Sequence, residues 1–230
     1  MSPIDLRNPG RPIHVGVIVF DTVTEHLDVA PVGYFSSISS DFLKDAPPQL
    51  LPDELKRQAP NFVFHWVTED GNKPANLTGN TKVVATDSFD TCPALDIVVL
   101  GAMPASYQPS QTELAFLRKS YEDCTALLLV CGGFQAALAA GILEGKTATA
   151  PRPVLAMVNH MAPGTNWVQK RYVRDGKVWT TGSLLNGFDM VAAFGREIWG
   201  GRGSFLEILE PEGAWPNRDL DYKDTTEWKM

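Results

Sequence analysis

Short apolar runs alternate along this chain with stretches whose apolar positions recur at helical spacing. His14–Phe20 (HVGVIVF) is a β-branched run of the kind that forms a strand buried on both faces. Leu27–Ser37 (LDVAPVGYFSS) follows as a helix with Asp28 near its start. Phe62–Val67 alternates as a strand, and Leu77–Ala85 carries the turn signal Thr78-Gly79-Asn80, which predicts a small hairpin at the sheet edge. Asp96–Leu100 (DIVVL) is a further strand, followed by a helix over Thr112–Tyr121 with Leu114, Leu117 and Tyr121 at helical spacing. The next unit is Ala126–Val130 (ALLLV), the tripeptide Cys131-Gly132-Gly133 and the Ala-rich helix Phe134–Ala140, stopped by Gly141. Beyond it the pattern predicts a short strand at Lys146–Thr149 and a helix from Pro153 to Asn159. A hairpin of Trp167–Val173 and Lys177–Thr181 turns at Asp175-Gly176, and an amphipathic helix over Leu184–Trp199 closes the series.

Strands alternating with helices imply right-handed crossovers and a mostly parallel sheet with helices on both faces. Ligands in such folds bind at the carboxyl ends of the strands. The segment Asp41–Pro60, rich in Pro, Lys and Asp, reads as a peripheral polar insertion with a helical turn at Glu54–Gln58. No repeat is visible, and one domain over 1–230 is expected, with its core at about 13–200 and a polar tail at 211–230 to which no role is assigned.

Composition narrows the function. The chain has 230 residues, of which 44% are hydrophobic and 20% charged, an ordinary globular balance. A net charge of -7 argues against a nucleic-acid partner, because such affinity rests on clustered Lys and Arg. With no apolar run long enough to span a bilayer and no signal-peptide pattern at the start, a soluble cytoplasmic protein without a membrane partner is expected. Cys92, Cys124 and Cys131 form neither an even disulfide framework nor a metal-ligand pair, so neither metal nor cofactor is expected.

Thiol chemistry is the remaining signal. Cys131 lies where an apolar strand passes directly into a helix, so its side chain should project from the carboxyl edge of the sheet. Gly132 and Gly133 allow unusual backbone angles and expose N–H groups, and the helix presents its positive end to the sulfur, which favours thiolate over thiol. The same N–H groups suit an oxyanion, as in the nucleophile elbows of hydrolases, although Gly-x-Ser-x-Gly is absent. Read alone, a strand followed by Cys-Gly-Gly is equally compatible with a small buried hydrophobe.

The segment VCGGFQAALAAGILEGKTATA (Val130–Ala150) resembles the ThiJ/PfpI superfamily signature, in which a strand ends in a nucleophilic Cys before an Ala/Leu-rich helix and a Gly-Lys-x-Ala-Thr run. The likeness extends to HVGVIVF and LDVAPVGYF near the start and to VRDGKVWTTGSLLNGFDMVAAF (Val173–Phe194), in the expected order. It implies a flavodoxin-like three-layer sandwich, similar to the class I glutamine amidotransferase fold, with a nucleophile elbow at Cys131. It also implies a homodimer. The segments ASYQPSQTELAFLRKSY and PGTNWVQKRYVRDGK look closest to a fungal branch related to isocyanide hydratases.

In this superfamily an acidic residue of the first helix hydrogen-bonds the cysteine sulfur, and the matching residue is Asp28. An aspartate there, rather than a glutamate, resembles the isocyanide hydratase branch. A carboxyl group packed beside a thiol must share a proton with it and so suits a general acid and base; an Asp near a helix start is equally a cap. Two departures stand out. Where glyoxalase-like and protease-like branches carry a histidine, this chain reads Thr149-Ala150-Pro151-Arg152, and the Gly-Gly pair after the third strand reads Gly101-Ala102-Met103. Gly101 and Ala102 still offer backbone N–H groups, and Met103 narrows the site.

Other pocket candidates are His26, two residues before Asp28 and so placed to replace the missing base, Tyr107 on the loop after the third strand, and Arg152 as a steering cation. The bland readings are a solvent-facing loop histidine for His26 and an ordinary surface arginine for Arg152. His14 and His65 read as structural, His160 as a cation at a helix end, and Asn186 and Asp189 as caps or site residues on the last helix. The reading that results is a cysteine-dependent enzyme adding water to a small electrophilic carbon, as in isocyanide hydration. The alternatives are a glyoxalase or deglycase acting on 2-oxoaldehydes and a non-catalytic redox sensor working through Cys131 oxidation.

Overall fold

A computed structural model describes residues 3–225 of the chain. Its main sheet has seven strands: β1 (Ile13–Ile18), β2 (Phe62–Thr68), β3 (Asp87–Ser88), β4 (Ile97–Leu100), β5 (Ala126–Leu129), β6 (Tyr172–Asp175) and β7 (Val178–Thr181). They lie in the order β6-β7-β5-β4-β1-β2-β3, and every pairing is parallel except β6 with β7. The architecture is the mostly parallel α/β sandwich that the strand and helix alternation implies, and it matches the flavodoxin-like fold that the resemblance implies.

The two sheet faces follow from side-chain alternation. In β4, Ile97 and Val99 enter a core with Phe35, Met190, Val191 and Phe194, whereas Val98 and Leu100 enter another with Leu114, Leu117, Phe134 and Ala137. The first core is roofed by the helices Val32–Ser37 and Asn186–Trp199, the second by Gln111–Asp123 and Phe134–Ala139. Burial on both sides explains why these strands are apolar throughout.

Several boundaries differ from the sequence pattern. Leu27–Ser37 is not one helix: Pro31 lacks the N–H that a continuing helix needs, and the chain forms two short helices, His26–Val29 and Val32–Ser37. The 75–83 hairpin, Ala75–Leu77 with Thr81–Val83, pairs with Val23–Thr24 in a separate three-stranded sheet rather than with the main sheet edge. Trp167 belongs to a two-stranded pairing of Asn166–Trp167 with Thr147–Ala148, not to the β6–β7 hairpin. The 41–60 insertion is not wholly peripheral, since Leu43 and Leu51 enter the first core. Its second helix spans Asp53–Lys56.

The polar tail also has structure. A helix over Leu206–Glu212 runs into its start, and Tyr222 is buried against the body of the protein. Among the described residues no helix is long and apolar enough to cross a membrane, and no group of three or more His, Cys, Asp or Glu is arranged to hold a metal ion.

Candidate active site

The sheet order reverses beside β1, whose chain continues to β2 on one side while β4 lies on the other. A crevice therefore opens at the carboxyl ends of β1 and β4, the usual ligand position in open α/β sheets. Asp28 follows β1, Gly101 and Ala102 follow β4, and Cys131 follows β5.

Cys131 occupies the left-handed region with φ of 52°, an uncommon conformation for a residue with a Cβ. The surroundings enforce it. Its N–H donates to Thr181 Oγ1 at 3.1 Å, and the Gly133 N–H donates to the Val130 carbonyl at 2.8 Å. At Gly133 a Cβ would run into the Leu100 carbonyl oxygen, and at Gly132 it would come within 2.9 Å of the Ala102 Cβ. The glycine pair thus lets the elbow pack directly on the end of β4.

Asp28 is fully buried in the helix His26–Val29. Its Oδ2 accepts from the Ala102 N–H at 2.9 Å, while Oδ1 has no hydrogen bond of full geometry. The one side chain whose hydrogen bonding acts on this carboxyl is the Cys131 thiol. Burial, opposed by the Ala102 N–H, and then the Glu25 charge push the carboxyl up to about 7. Burial and Asp28 together push the Cys131 thiol up to about 11, against opposing hydrogen bonds from the Leu184 and Gly132 N–H groups. The expected thiolate preference is therefore reversed at rest, because desolvation and a neighbouring carboxyl outweigh the donors at the elbow.

The oxyanion donors also differ from expectation. The Ala102 N–H is given to Asp28 and the Gly133 N–H to Val130, so neither is free for a ligand. The backbone groups whose hydrogen bonding holds the thiol down are those of Leu184 and Gly132. Gly101 contributes closeness instead: a Cβ there would come within 3.0 Å of the Asp28 Cβ.

The outer candidates are dispersed. His26 is exposed at the head of its helix, tied to Thr78 Oγ1 through its backbone N–H at 3.0 Å, and does not act on the Asp28 or Cys131 protons. Tyr107 donates its hydroxyl to Glu113 at 2.8 Å and, with Met103, Phe134 and Gln135, lines an apolar cavity of about 310 Å³. Arg152 stacks over the Tyr222 ring at 4.5 Å and lines a second cavity of about 290 Å³ with Leu184 and Asn186. Asp189 pairs with Arg218 at 2.9 Å and is not turned to the thiol. Of the histidines called structural, His14 and His65 share a 2.8 Å hydrogen bond that continues to Asp87.

Sequence reasoning missed Glu25, Thr181, Leu184 and Tyr222. Leu184 was assigned to a helix that begins only at Asn186, and its role is carried by a backbone N–H that no side-chain motif announces. Glu25 is a helix N-cap whose N–H donates to the Ala102 carbonyl at 2.8 Å, so it sits in the same crossing of chains as Asp28.

The family model described as DJ-1/PfpI matches residues 53–198. Isonitrile hydratase of Pseudomonas putida is 28% identical over 165 residues, 71% of either chain. Among solved structures, Drosophila melanogaster DJ-1beta superposes with a TM-score of 0.66 at 12% identity, covering 90% of this chain and all of that one. A ThiJ/PfpI family protein from Pseudomonas syringae gives a TM-score of 0.67 at 19% identity over 93% of this chain and 79% of that one.

Proposed function

The chain belongs to the DJ-1/PfpI family, and from that premise we propose that it is a cysteine-dependent hydratase that adds water to the terminal carbon of a small isocyanide (isonitrile). The observation that carries this reading is the fully buried Asp28 carboxyl, held near neutrality beside the Cys131 thiol, because such a group is available as both acid and base at neutral pH.

The chemistry balances with these two side chains and one water. Ionised Asp28 takes the thiol proton as the sulfur attacks the isocyanide carbon, which forms the S–C bond. Asp28 then returns that proton to the same carbon, giving a neutral thioimidate, R–N=CH–S–Cys131. Water adds to this carbon with Asp28 accepting one of its protons and passing it to nitrogen. The C–S bond breaks as the remaining hydroxyl becomes the carbonyl, its proton returns to sulfur, and R–NH–CHO leaves. The Leu184 and Gly132 N–H groups stabilise negative charge on sulfur during attack and departure.

A thiol raised to about 11 is a poor spontaneous target for peroxide, which weighs against a purely redox-sensing role. The absence of a histidine at Thr149–Arg152 weighs against 2-oxoaldehyde chemistry. The test incubates the protein with an alkyl isocyanide in ¹⁸O-water and follows the formamide by mass spectrometry. Formamide carrying one ¹⁸O, lost in Cys131→Ala, is expected. No formamide, or formamide that persists in Cys131→Ala, would overturn the proposal. A homodimer is expected from the family resemblance and is checked by light scattering.

A further inference from the structure

The C-terminal segment packs on the turn that reaches the thiol. Arg171, only 1% exposed, ties it down: its backbone N–H donates to the Leu220 carbonyl at 2.8 Å, its Nε to the Asp219 carbonyl at 2.9 Å and its Nη2 to Asp224 at 2.6 Å. A second tie is Arg218, whose Nη2 donates to the Leu185 carbonyl at 3.1 Å. Lys170 pairs with Asp221 at the exposed side. Between these ties Tyr222, 8% exposed, lies under two guanidinium groups, Arg152 at 4.5 Å and Arg171 at 4.6 Å from its ring centroid.

The Tyr222 hydroxyl donates to Asn186 Oδ1 at 2.8 Å, and these two atoms fill the space over Gly182 that a Cβ would need. Asn186 closes the turn through its N–H to the Ser183 carbonyl at 3.0 Å, and Gly182 donates to the Arg171 carbonyl at 3.0 Å. Inside this turn Leu184 sits at φ of 42°, a conformation that persists only where the surroundings over-determine it. On its inner side the turn is joined to the elbow by Thr181, whose Oγ1 accepts from the Cys131 N–H and donates to the Gly182 carbonyl at 3.0 Å.

We propose that Tyr222 is a positioning residue of the thiol site: packed against Arg152 and Arg171, it fixes the 182–186 turn and so the Thr181 hydroxyl that holds the Cys131 N–H. The tail then acts as a strut of the active site rather than a solvated end. This inference rests on Cys131 being the reacting group and not on the identity of any substrate, so its test reads the sulfur directly.

The test is the pH profile of Cys131 alkylation by limiting iodoacetamide, followed by peptide mapping, in wild type, Tyr222→Phe and Tyr222→Ala. The acidic groups acting on this sulfur, Asp28 directly and Glu25 through Asp28, are unchanged in all three. Slackening this turn also withdraws the Leu184 backbone, whose hydrogen bonding favours the thiolate. In Tyr222→Ala the profile is expected to move up by about one pH unit, read as an alkylation rate about tenfold lower at pH 8. Tyr222→Phe keeps the ring against both guanidinium groups and loses only the bond to Asn186, so a smaller shift in the same direction is expected. Labelling of buried Cys92 and Cys124 reports unfolding; if Tyr222→Ala exposes them, Tyr222→Phe decides. A wild-type profile in folded variants overturns the proposal, and so does a downward shift, which would mean that the tail acts by excluding water. If Cys131 is not labelled in the wild type, it is the reading of the site that fails.

Discussion

Asp28 accepts the Ala102 N–H at 2.9 Å through Oδ2, and the Cys131 thiol is the side chain whose hydrogen bonding acts on the same carboxyl, at the point where the ends of β1, β4 and β5 meet. The bond joins the first strand's helix to the loop after β4, so one contact both closes the crevice and orients the acid. Burial is what disfavours the charged form, and the Ala102 N–H offsets part of it.

The first prediction is a pH dependence of stability. The Asp28 carboxyl moves from its ordinary 3.8 to about 7 on folding, so between these values the folded protein holds a proton that the unfolded chain has lost. Stability from this group is present below about pH 4 and declines as pH rises to about 7. The displacement corresponds to at most about 4 kcal/mol. Asp28→Asn keeps an acceptor for Ala102 and removes the titration, so its stability relative to wild type should rise from pH 4 to pH 8. Urea unfolding of both proteins across that range checks this, and parallel curves would remove the buried-carboxyl assignment.

Cys131 should be the thiol alkylated first in the folded protein. Its advantage is not acidity, since the Cys131 and Cys124 thiols are both pushed up to about 11 and Cys92 to about 12. What separates Cys131 is partial exposure and an adjacent carboxyl able to take its proton, whereas Cys92 and Cys124 are buried. Limiting iodoacetamide with peptide mapping measures this, and prior labelling of either buried cysteine would defeat the site assignment. In Asp28→Ala the alkylation profile of Cys131 should move to lower pH, because a negative neighbour has been removed.

The elbow glycines supply a third prediction. A Cβ at Gly133 meets the backbone carbonyl of Leu100, which cannot move without parting β4 from β5, so Gly133→Ala should destabilise by about 2–3 kcal/mol. Gly33→Ala, in the helix Val32–Ser37 with nothing within 4 Å of the new methyl, should be neutral or stabilising by up to about 1 kcal/mol. Chemical denaturation of the two variants gives the comparison, and equal effects would mean that the elbow is not packed as described.

These contacts show which parts of the site a sequence can reveal. The parallel core was legible because residues such as Ile97–Leu100 and Ala126–Leu129 are buried on both faces and so apolar without alternation. The position of Cys131 at the end of a strand was legible from the apolar run into Gly132-Gly133, whereas its reading as a reacting thiol came from the family resemblance. The orientation of backbone donors was not: Ala102 and Leu184 carry no side-chain signal for where their N–H groups point, and one serves Asp28 while the other serves the sulfur. Nor was the tail, since Tyr222 is isolated among polar residues and its partners Arg171, Arg152 and Asn186 lie 36 to 70 positions earlier in the chain.

The last prediction concerns 2-oxoaldehydes, for which turnover should be weak or undetectable beside that of isocyanides. Isomerising such a substrate after thiolate attack moves a proton between adjacent carbons, and a neutral imidazole is well matched to that transfer. Thr149–Arg152 provides none, and Ala150 is buried with 1% exposure, so the protein has neither the base nor an open position for it there. The one histidine near Asp28 in sequence is His26, which is exposed and held by its backbone to Thr78. Isocyanide hydration instead needs one group that protonates carbon and then activates water, and a carboxyl near pH 7 performs these steps in turn. Asp28→Asn should therefore lower isocyanide turnover by about 10²- to 10⁴-fold, whereas His26→Ala should leave it within about twofold. Methylglyoxal consumption by the wild type, with lactate as product, measures the competing activity. Robust turnover that survives His26→Ala would show that Asp28 alone supports proton transfer between carbons, and turnover lost in that variant would place His26 in the pocket; either result overturns the assignment of a single acid and base to this site.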